Sequence, residues 1–167
     1  IKEAKKLSSM YTLADILKAN CGTLDIRGVA HKGFFASITD FPSYYDANMN
    51  LLDYKAAQEL FHDNWPIYTR TNDSCPTQYF DTAEVKNSVI SNGCQIEGTV
   101  ENSVIGRGCV IKKGAVVKNS VVLAEVTVGE GVHVENEVVD KWARLVHEKE
   151  IVSPADQPGY IRRGDTL

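Results

Sequence analysis

Between Asn87 and Leu145 the apolar positions recur every six residues, a spacing that neither a helix nor a plain alternating strand would give. The stretch divides into lines that each begin at an asparagine. Asn87 opens NSVISNGCQIEGTVE, Asn102 opens NSVIGRGCVIKKGAVVK, Asn119 opens NSVVLAEVTVGEGVHVE and Asn136 opens NEVVDKWARL. The starts lie 15, 17 and 17 residues apart, and such self-similarity governs the reading before any single element does. Large aliphatic residues stand three places after each asparagine (Ile90, Ile105, Val122, Val139) and nine places after it (Ile96, Ile111, Val128, Leu145). Val117 and Val134 stand fifteen places on in the two longer lines. A second, smaller set alternates with them: Ser88, Ser103 and Ser120; Cys94, Cys109, Val126 and Ala143; Val100, Ala115 and Val132. Six residues make three two-residue steps with one corner. The pattern therefore predicts short strands around a triangular prism of about eighteen residues per coil, with coils about 4.8 Å apart. Lines of 15 and 17 require some tight corners. The asparagines suit left-handed corner backbone and can bond to one another in a stack.

Ahead of the prism the period changes. TLADILKAN (12–20) predicts a short helix capped by Thr12, with Asp15 in the capping-box position and Leu13, Ile16 and Leu17 as its buried stripe. Leu24 to His31 and Phe34 to Ile38 read as two strands. Asp40 caps a second helix with Phe41-Pro42 in its first turn, presenting Tyr44, Tyr45, Ala47, Met49, Leu51 and Leu52. Asp53 restarts helix through YKAAQELFHD, with Ala56, Leu60 and Phe61 inward, and Trp65 to Tyr68 is extended. The turn-rich segment 71–78 (TNDSCPTQ) marks a boundary. This gives residues 1–70 as one region, 71–78 as linker and 79–167 as the prism. After Glu148, SPADQPG forms a loop and GYIRRGDTL a last partial coil. Glu137 where a serine belongs, and Trp142 where a glycine belongs, read as the repeat fading toward an end that needs cover.

Composition narrows the picture. Eighteen Lys and Arg against 22 Asp and Glu give a net charge of -4, so no basic excess points to nucleic acid or an anionic membrane. No apolar run reaches the roughly 18 residues of a membrane span. The opening IKEAKKLSSM lacks the apolar core of a signal peptide and lacks an initiator Met, the expectation for a fragment or processed product. The cysteines, Cys21, Cys75, Cys94 and Cys109, form no C-x-x-C pair, so zinc and redox chemistry gain no support. Cys94 and Cys109 sit at equivalent places in successive coils and read as two small core residues rather than a disulfide, given an expected cytoplasmic location.

The six-residue period resembles the hexapeptide-repeat proteins, whose prism is a left-handed parallel β-helix. The left hand is what that resemblance implies, since parallel crossovers are otherwise right-handed. GFFASITDFPSYYDANMNLL (33–52) and WPIYTR (65–70) resemble the end of the nucleotidyltransferase domain, and the linker, of glucose-1-phosphate adenylyltransferase (ADP-glucose pyrophosphorylase). The resemblance covers nearly the whole chain. The fold it implies is the C-terminal remnant of a nucleotidyltransferase domain, an α/β fragment, followed by an all-β left-handed helix. The family joins ATP and glucose 1-phosphate into ADP-glucose and pyrophosphate with magnesium. Its magnesium-ligating Asp falls here at Ser37, which offers no carboxylate, and the family's glycine-rich nucleotide loop has no counterpart in residues 1–80. The resemblance is therefore closer to the GlgD-type regulatory subunit, which accompanies a catalytic subunit. It implies a C-terminal regulatory and oligomerisation region with no catalytic residue and no cofactor of its own, in glycogen biosynthesis. The implied partners are that catalytic subunit, in a homo- or hetero-oligomer, and a sugar-phosphate effector.

Arg107, Lys112, Lys113 and Lys118 are the candidate effector-binding residues, because Arg and Lys suit phosphate; a solvated outer face explains them as simply. A hexapeptide acyltransferase is the alternative class. It would need a general-base histidine at a subunit seam, and the repeat region offers His133 and His147. Three histidines for a metal are not available on the coils.

Overall fold

A computed structural model describes residues 12–61, 66–69, 71 and 73–167. The opening decapeptide, Trp65 and Arg70 of the linker motif, and the end of the third predicted helix lie outside the described residues. The chain divides into two compact units, Ile1–Lys32 and Gly33–Leu167.

In the first unit, helix α1 (Leu13–Asn20) begins as its sequence directs. The Thr12 hydroxyl accepts from the Asp15 amide and the Asp15 carboxylate accepts from the Thr12 amide, a reciprocal capping box. Its expected buried stripe is not buried: Leu13 and Leu17 are exposed and Ile16 is half-buried. The strands expected over Leu24–His31 and Phe34–Ile38 are also not formed among the described residues. Alternating apolar residues make a strand only where a neighbouring layer takes one face. Here Leu24, Ile26, Val29, Phe35 and Ile38 stand exposed.

The second unit holds α2 (Phe41–Asn50), α3 (Tyr54–Leu60) and the prism. Asp40 and Ser43 form the capping box of α2, and Pro42 stands in its first turn. Leu51 caps its C-terminus, so the helix stops two residues short of the expected face. Asp53 caps α3; its Ala56 and Leu60 are half-buried, whereas Phe61, expected inward, is exposed.

Fifteen strands follow, three to a coil. The first coil is β1 (Gln78–Tyr79), β2 (Glu84–Lys86) and β3 (Val89–Ile90). The second is β4 (Gln95–Ile96), β5 (Thr99–Glu101) and β6 (Val104–Ile105), and the third β7 (Val110–Ile111), β8 (Val116–Lys118) and β9 (Val121–Val122). The fourth is β10 (Thr127–Val128), β11 (His133–Glu135) and β12 (Glu137–Val139); the fifth is β13 (Arg144–Leu145), β14 (Glu150–Val152) and β15 (Gly159–Ile161). Every third strand pairs in parallel, giving three five-stranded sheets. The predicted rows stack inside: Ile90, Ile105, Val122 and Val139 on one wall, continued by Ile161; Ile96, Ile111, Val128 and Leu145 on the next, preceded in register by an exposed Tyr79.

One row differs from the expectation. Val100 pairs with Val117, and Val117 with Val134, so Val100 belongs to the large row and not with Ala115 and Val132. The two residues missing from the shorter line are lost at the corner after β4. Only Glu97 and Gly98 stand there, where the next coil has the four residues 112–115. Gly98 permits that tight corner: a Cβ would lie 2.4 Å from the Ala115 carbonyl oxygen.

The corner asparagines behave as expected. Asn87, Asn102, Asn119 and Asn136 have φ of 44, 46, 44 and 57°, left-handed values that asparagine tolerates better than most side chains. The Asn87 side-chain amide donates to Asn102 Oδ1 at 2.8 Å. Beside them runs a hydroxyl ladder: the amides of Ser103, Ser120 and Glu137 each donate to the serine hydroxyl one coil earlier, all at 3.1 Å. Cys94 and Cys109 are buried free thiols donating to the Gly106 and Leu123 carbonyls, with no disulfide between them. The last coil closes the far end: Arg144 bridges Thr166, and Leu167 packs on the core.

Helix α2 seats on the outside of the prism. The outward row of the β3–β6–β9–β12–β15 sheet is Val89, Val104, Val121, Val138 and Tyr160. Tyr45 buries against Val121 and Val138, flanked by Phe41, Tyr44, Met49 and Leu123. Its hydroxyl donates to the Asn119 carbonyl, and Phe41 meets Tyr160 edge to face at 5.8 Å.

Candidate functional site

The prism has three corners, and the four candidate cations are spread over all of them. Lys112 and Lys113 lie between β7 and β8, Lys118 ends β8 beside the asparagine ladder, and Arg107 lies between β6 and β7. The structure does not bring them together. Lys112 pairs with Glu97 at 3.4 Å, and Lys118 pairs with Glu101 at 3.8 Å, which also takes Lys86 at 3.3 Å. Lys113 is exposed. Pairs of this kind, half-exposed and one rung apart, stabilise little and tidy an outer face.

The Arg107 corner is different. A cleft of about 650 Å³ opens there, lined by Thr71, Ser91, Arg107, Glu125, Lys141 and Trp142 among others. Its floor follows from the register. The amides of Glu125, Trp142 and Gly164 donate to the carbonyls of Arg107, Ala124 and Lys141. Arg107, Ala124, Lys141 and Arg163 are therefore successive rungs of one column. The small Ala124 leaves a notch between two cations.

The neighbouring column carries backbone strain. Gly93, Gly108 and Gly164 hold left-handed φ of 81, 67 and 75°, but the two rungs between Gly108 and Gly164 are Glu125 and Trp142, both at 62°. A bulky residue there costs about 1–2 kcal/mol, and such cost concentrates at sites with a use for the side chain. The Glu125 carboxylate folds over Gly108, where a Cβ would come within 2.6 Å of its Oε1. Arg163 lies 4.0 Å over the Trp142 ring, an aromatic–cation stack. The Lys141 amide holds the Asp140 carboxyl below the usual carboxylate range, and Tyr160, which donates to it at 2.8 Å, acts the same way. The cleft thus combines two cations, a carboxylate, hydroxyls and an aromatic face, a set that fits a hydroxylated organic anion. Of the residues lining this cleft, Arg107 is a candidate from the sequence and Lys141 is not; Trp142 stands out there only as a tryptophan at a glycine position.

The remaining candidates carry no catalytic constellation. His133 Nε2 lies 3.1 Å from Glu135 Oε2 on its own strand without the alignment of a hydrogen bond, and His147 is exposed. Ser37 is exposed. The residues around it do not fit a magnesium ion, because Ser37 is uncharged and Asp40 is committed to the cap of α2, accepting from the Ser43 amide at 2.9 Å.

Three parallel sheets closed into a prism, with an asparagine corner in four of its five coils, define a hexapeptide-repeat left-handed β-helix. A family profile described as GlmU-like, C-terminal hexapeptide, matches residues 76–157. Glycogen biosynthesis protein GlgD of Bacillus subtilis is 31% identical over 153 residues, which is 92% of this chain and 45% of that protein. Glucose-1-phosphate adenylyltransferase of Fervidobacterium nodosum is 34% identical over 140 residues, 83% of this chain and 34% of that protein. GlgD of Geobacillus stearothermophilus is 36% identical over 107 residues, 64% of this chain and 31% of that protein. The chain belongs to the glucose-1-phosphate adenylyltransferase and GlgD family and corresponds to its C-terminal, hexapeptide portion. It spans less than half the length of these relatives. Among the described residues no helix is long and apolar enough to cross a membrane.

Proposed function

We propose that this chain is the C-terminal regulatory and oligomerisation region of a GlgD-type subunit of glucose-1-phosphate adenylyltransferase, serving glycogen biosynthesis in the cytoplasm. The whole enzyme would make ADP-glucose and pyrophosphate from ATP and glucose 1-phosphate with magnesium, and the catalytic subunit would supply that chemistry. The observation that carries this reading is the seat of α2 on the prism. Tyr45 joins the last helices of the preceding region to the Asn119 corner through buried contact and a hydrogen bond. A movement at the prism would therefore be felt by the fold that precedes it. The sugar-phosphate effector of this reading would meet Arg107, with Lys141 and Trp142 beside it. Lys112, Lys113 and Lys118 stand at other corners, away from this cleft.

Co-purification tests the assembly role. The full-length parent should co-elute with its catalytic subunit on size exclusion, and replacing Tyr45 with Ala should weaken that association; a parent that elutes alone at micromolar concentration would end the proposal. Titration with sugar phosphates tests the effector role. Loss of binding in Arg107→Ala with retention in the Lys112→Ala, Lys113→Ala double variant is expected, and the reverse result would move the site. The acyltransferase alternative is not favoured, since the relatives this chain matches are GlgD proteins and glucose-1-phosphate adenylyltransferases.

A further inference from the structure

The serine ladder of the Asn136 corner ends on a glutamate. Ser88, Ser103, Ser120 and Glu137 occupy one column, and the Glu137 amide keeps the ladder bond to the Ser120 hydroxyl. The side chain has nowhere to go but inward, and Glu137 is only 4% exposed. Its carboxyl lies under the loop 153–158, the one long detour in the five coils. Ser153 Oγ donates to Glu137 Oε1. On the other side Gly159 gives it room: a Cβ there would lie 2.2 Å from Oε2. The loop is fastened at both ends to the same corner. The Ser153 amide donates to the Glu135 carbonyl at 3.1 Å, the Asn136 side-chain amide to the Ser153 carbonyl at 2.8 Å, and the Gly159 amide to the Asn136 carbonyl at 3.0 Å.

We propose that the 153–158 loop is a clasp, held shut on the prism by the uncharged carboxyl of Glu137 and released when that carboxyl ionises. A buried carboxylate needs a cation or several donors, and among the described residues Glu137 has one hydroxyl and no ion pair. Charged residues do occur on the elements packed around it: Glu135 and Asp140 on its own run, Lys118 on the coil below, Asp156 on the loop, Arg162 after β15 and Asp46 on α2. Burial raises the Glu137 carboxyl above the ordinary 4.5, and the Ser153 hydroxyl opposes that. Opening the loop admits water and returns the group to its ordinary value. Below 4.5 both states are protonated and the clasp is at its firmest. As pH rises from 4.5 through the raised value of the closed state, ionisation favours the open state, and above it the effect levels off.

The test is hydrogen exchange of the Ser153 and Gly159 amides in the intact protein from pH 4.5 to 8, corrected for intrinsic rates. One proton is involved, so the opening constant should climb by up to about tenfold per pH unit before levelling off. Glu137→Gln keeps an acceptor for Ser153 and removes the ionisation; its clasp should stay shut at every pH. Glu137→Ser, which restores the ladder residue, should also lose the pH dependence if the glutamine variant folds poorly. A flat profile in the unaltered protein, or an undiminished slope in both variants, would overturn the clasp.

Discussion

Glycine at position 125 should make this protein more stable, although the substitution removes a charged side chain and adds no contact. Glu125 is exposed and holds φ of 62° in a column whose other members include Gly93, Gly108 and Gly164. Relief of the left-handed strain contributes about 1–2 kcal/mol. The greater freedom of glycine in the unfolded chain takes back about 0.4–1 kcal/mol. The net gain expected for Glu125→Gly is therefore roughly 0.5–1 kcal/mol, or about 2–3 °C in Tm for a chain of this size. Urea titration should show a higher midpoint with an unchanged slope. Glu130→Gly is the control, because Glu130 is an exposed corner residue outside the left-handed set and its replacement should destabilise slightly. If Glu125→Gly loses as much stability as Glu130→Gly, the corner is not strained and the case for a functional reason behind Glu125 and Trp142 collapses. Trp142→Gly should gain less, since the Arg163 stack at 4.0 Å contributes about 0.5–1 kcal/mol.

Other consequences follow from the ladders and caps. Ile111 is fully buried in the middle of its row, so Ile111→Ala should cost about 2–5 kcal/mol in denaturant unfolding. Asn102→Ala should cost about 1–3 kcal/mol, having lost both a tolerated left-handed backbone and the Asn87 bond; Asn102→Gly should recover most of it. The neighbouring Cys94 thiol and then burial raise the Cys109 thiol, so native protein treated with a thiol alkylator at pH 8 should be labelled at exposed Cys21 and Cys75 while Cys109 stays unmodified by mass. The Ser43 hydroxyl and amide hold the Asp40 carboxyl below its ordinary value. The cap is thus intact above the usual carboxylate range and is lost as pH falls through the depressed value. Amide exchange in the first turn of α2 should accelerate there, and only weakly so in Asp40→Asn.

The prism was legible because each coil must offer the same inward side chains at the same places, and Ile90, Ile105 and Val122 announce that row in the bare sequence. The register of Val100 was not, because spacing alone does not say which corner loses two residues. Gly98, pressed against the Ala115 carbonyl, was the clue. Caps are local chemistry, and Thr12, Asp40 and Asp53 each start the helix their sequence promises. Burial is not local. Leu13, Leu17 and Phe61 have the spacing of core residues but stand exposed. Leu24 to Ile38 likewise alternates without forming strands in the described structure. At the cleft, Trp142 looked like decay of the repeat, whereas its backbone shows a glycine position held by a bulky residue at a cost. Charge alone grouped Arg107 with three lysines that the prism distributes to other corners.

The subunit we propose is non-catalytic, with a C-terminal prism that serves assembly and control. Formation of ADP-glucose, measured with the full-length parent alone and then with its catalytic subunit, tests this most directly. The parent alone should stay at background, and the mixture should exceed the catalytic subunit alone or respond differently to sugar phosphates. Strong turnover by the parent alone would contradict the account.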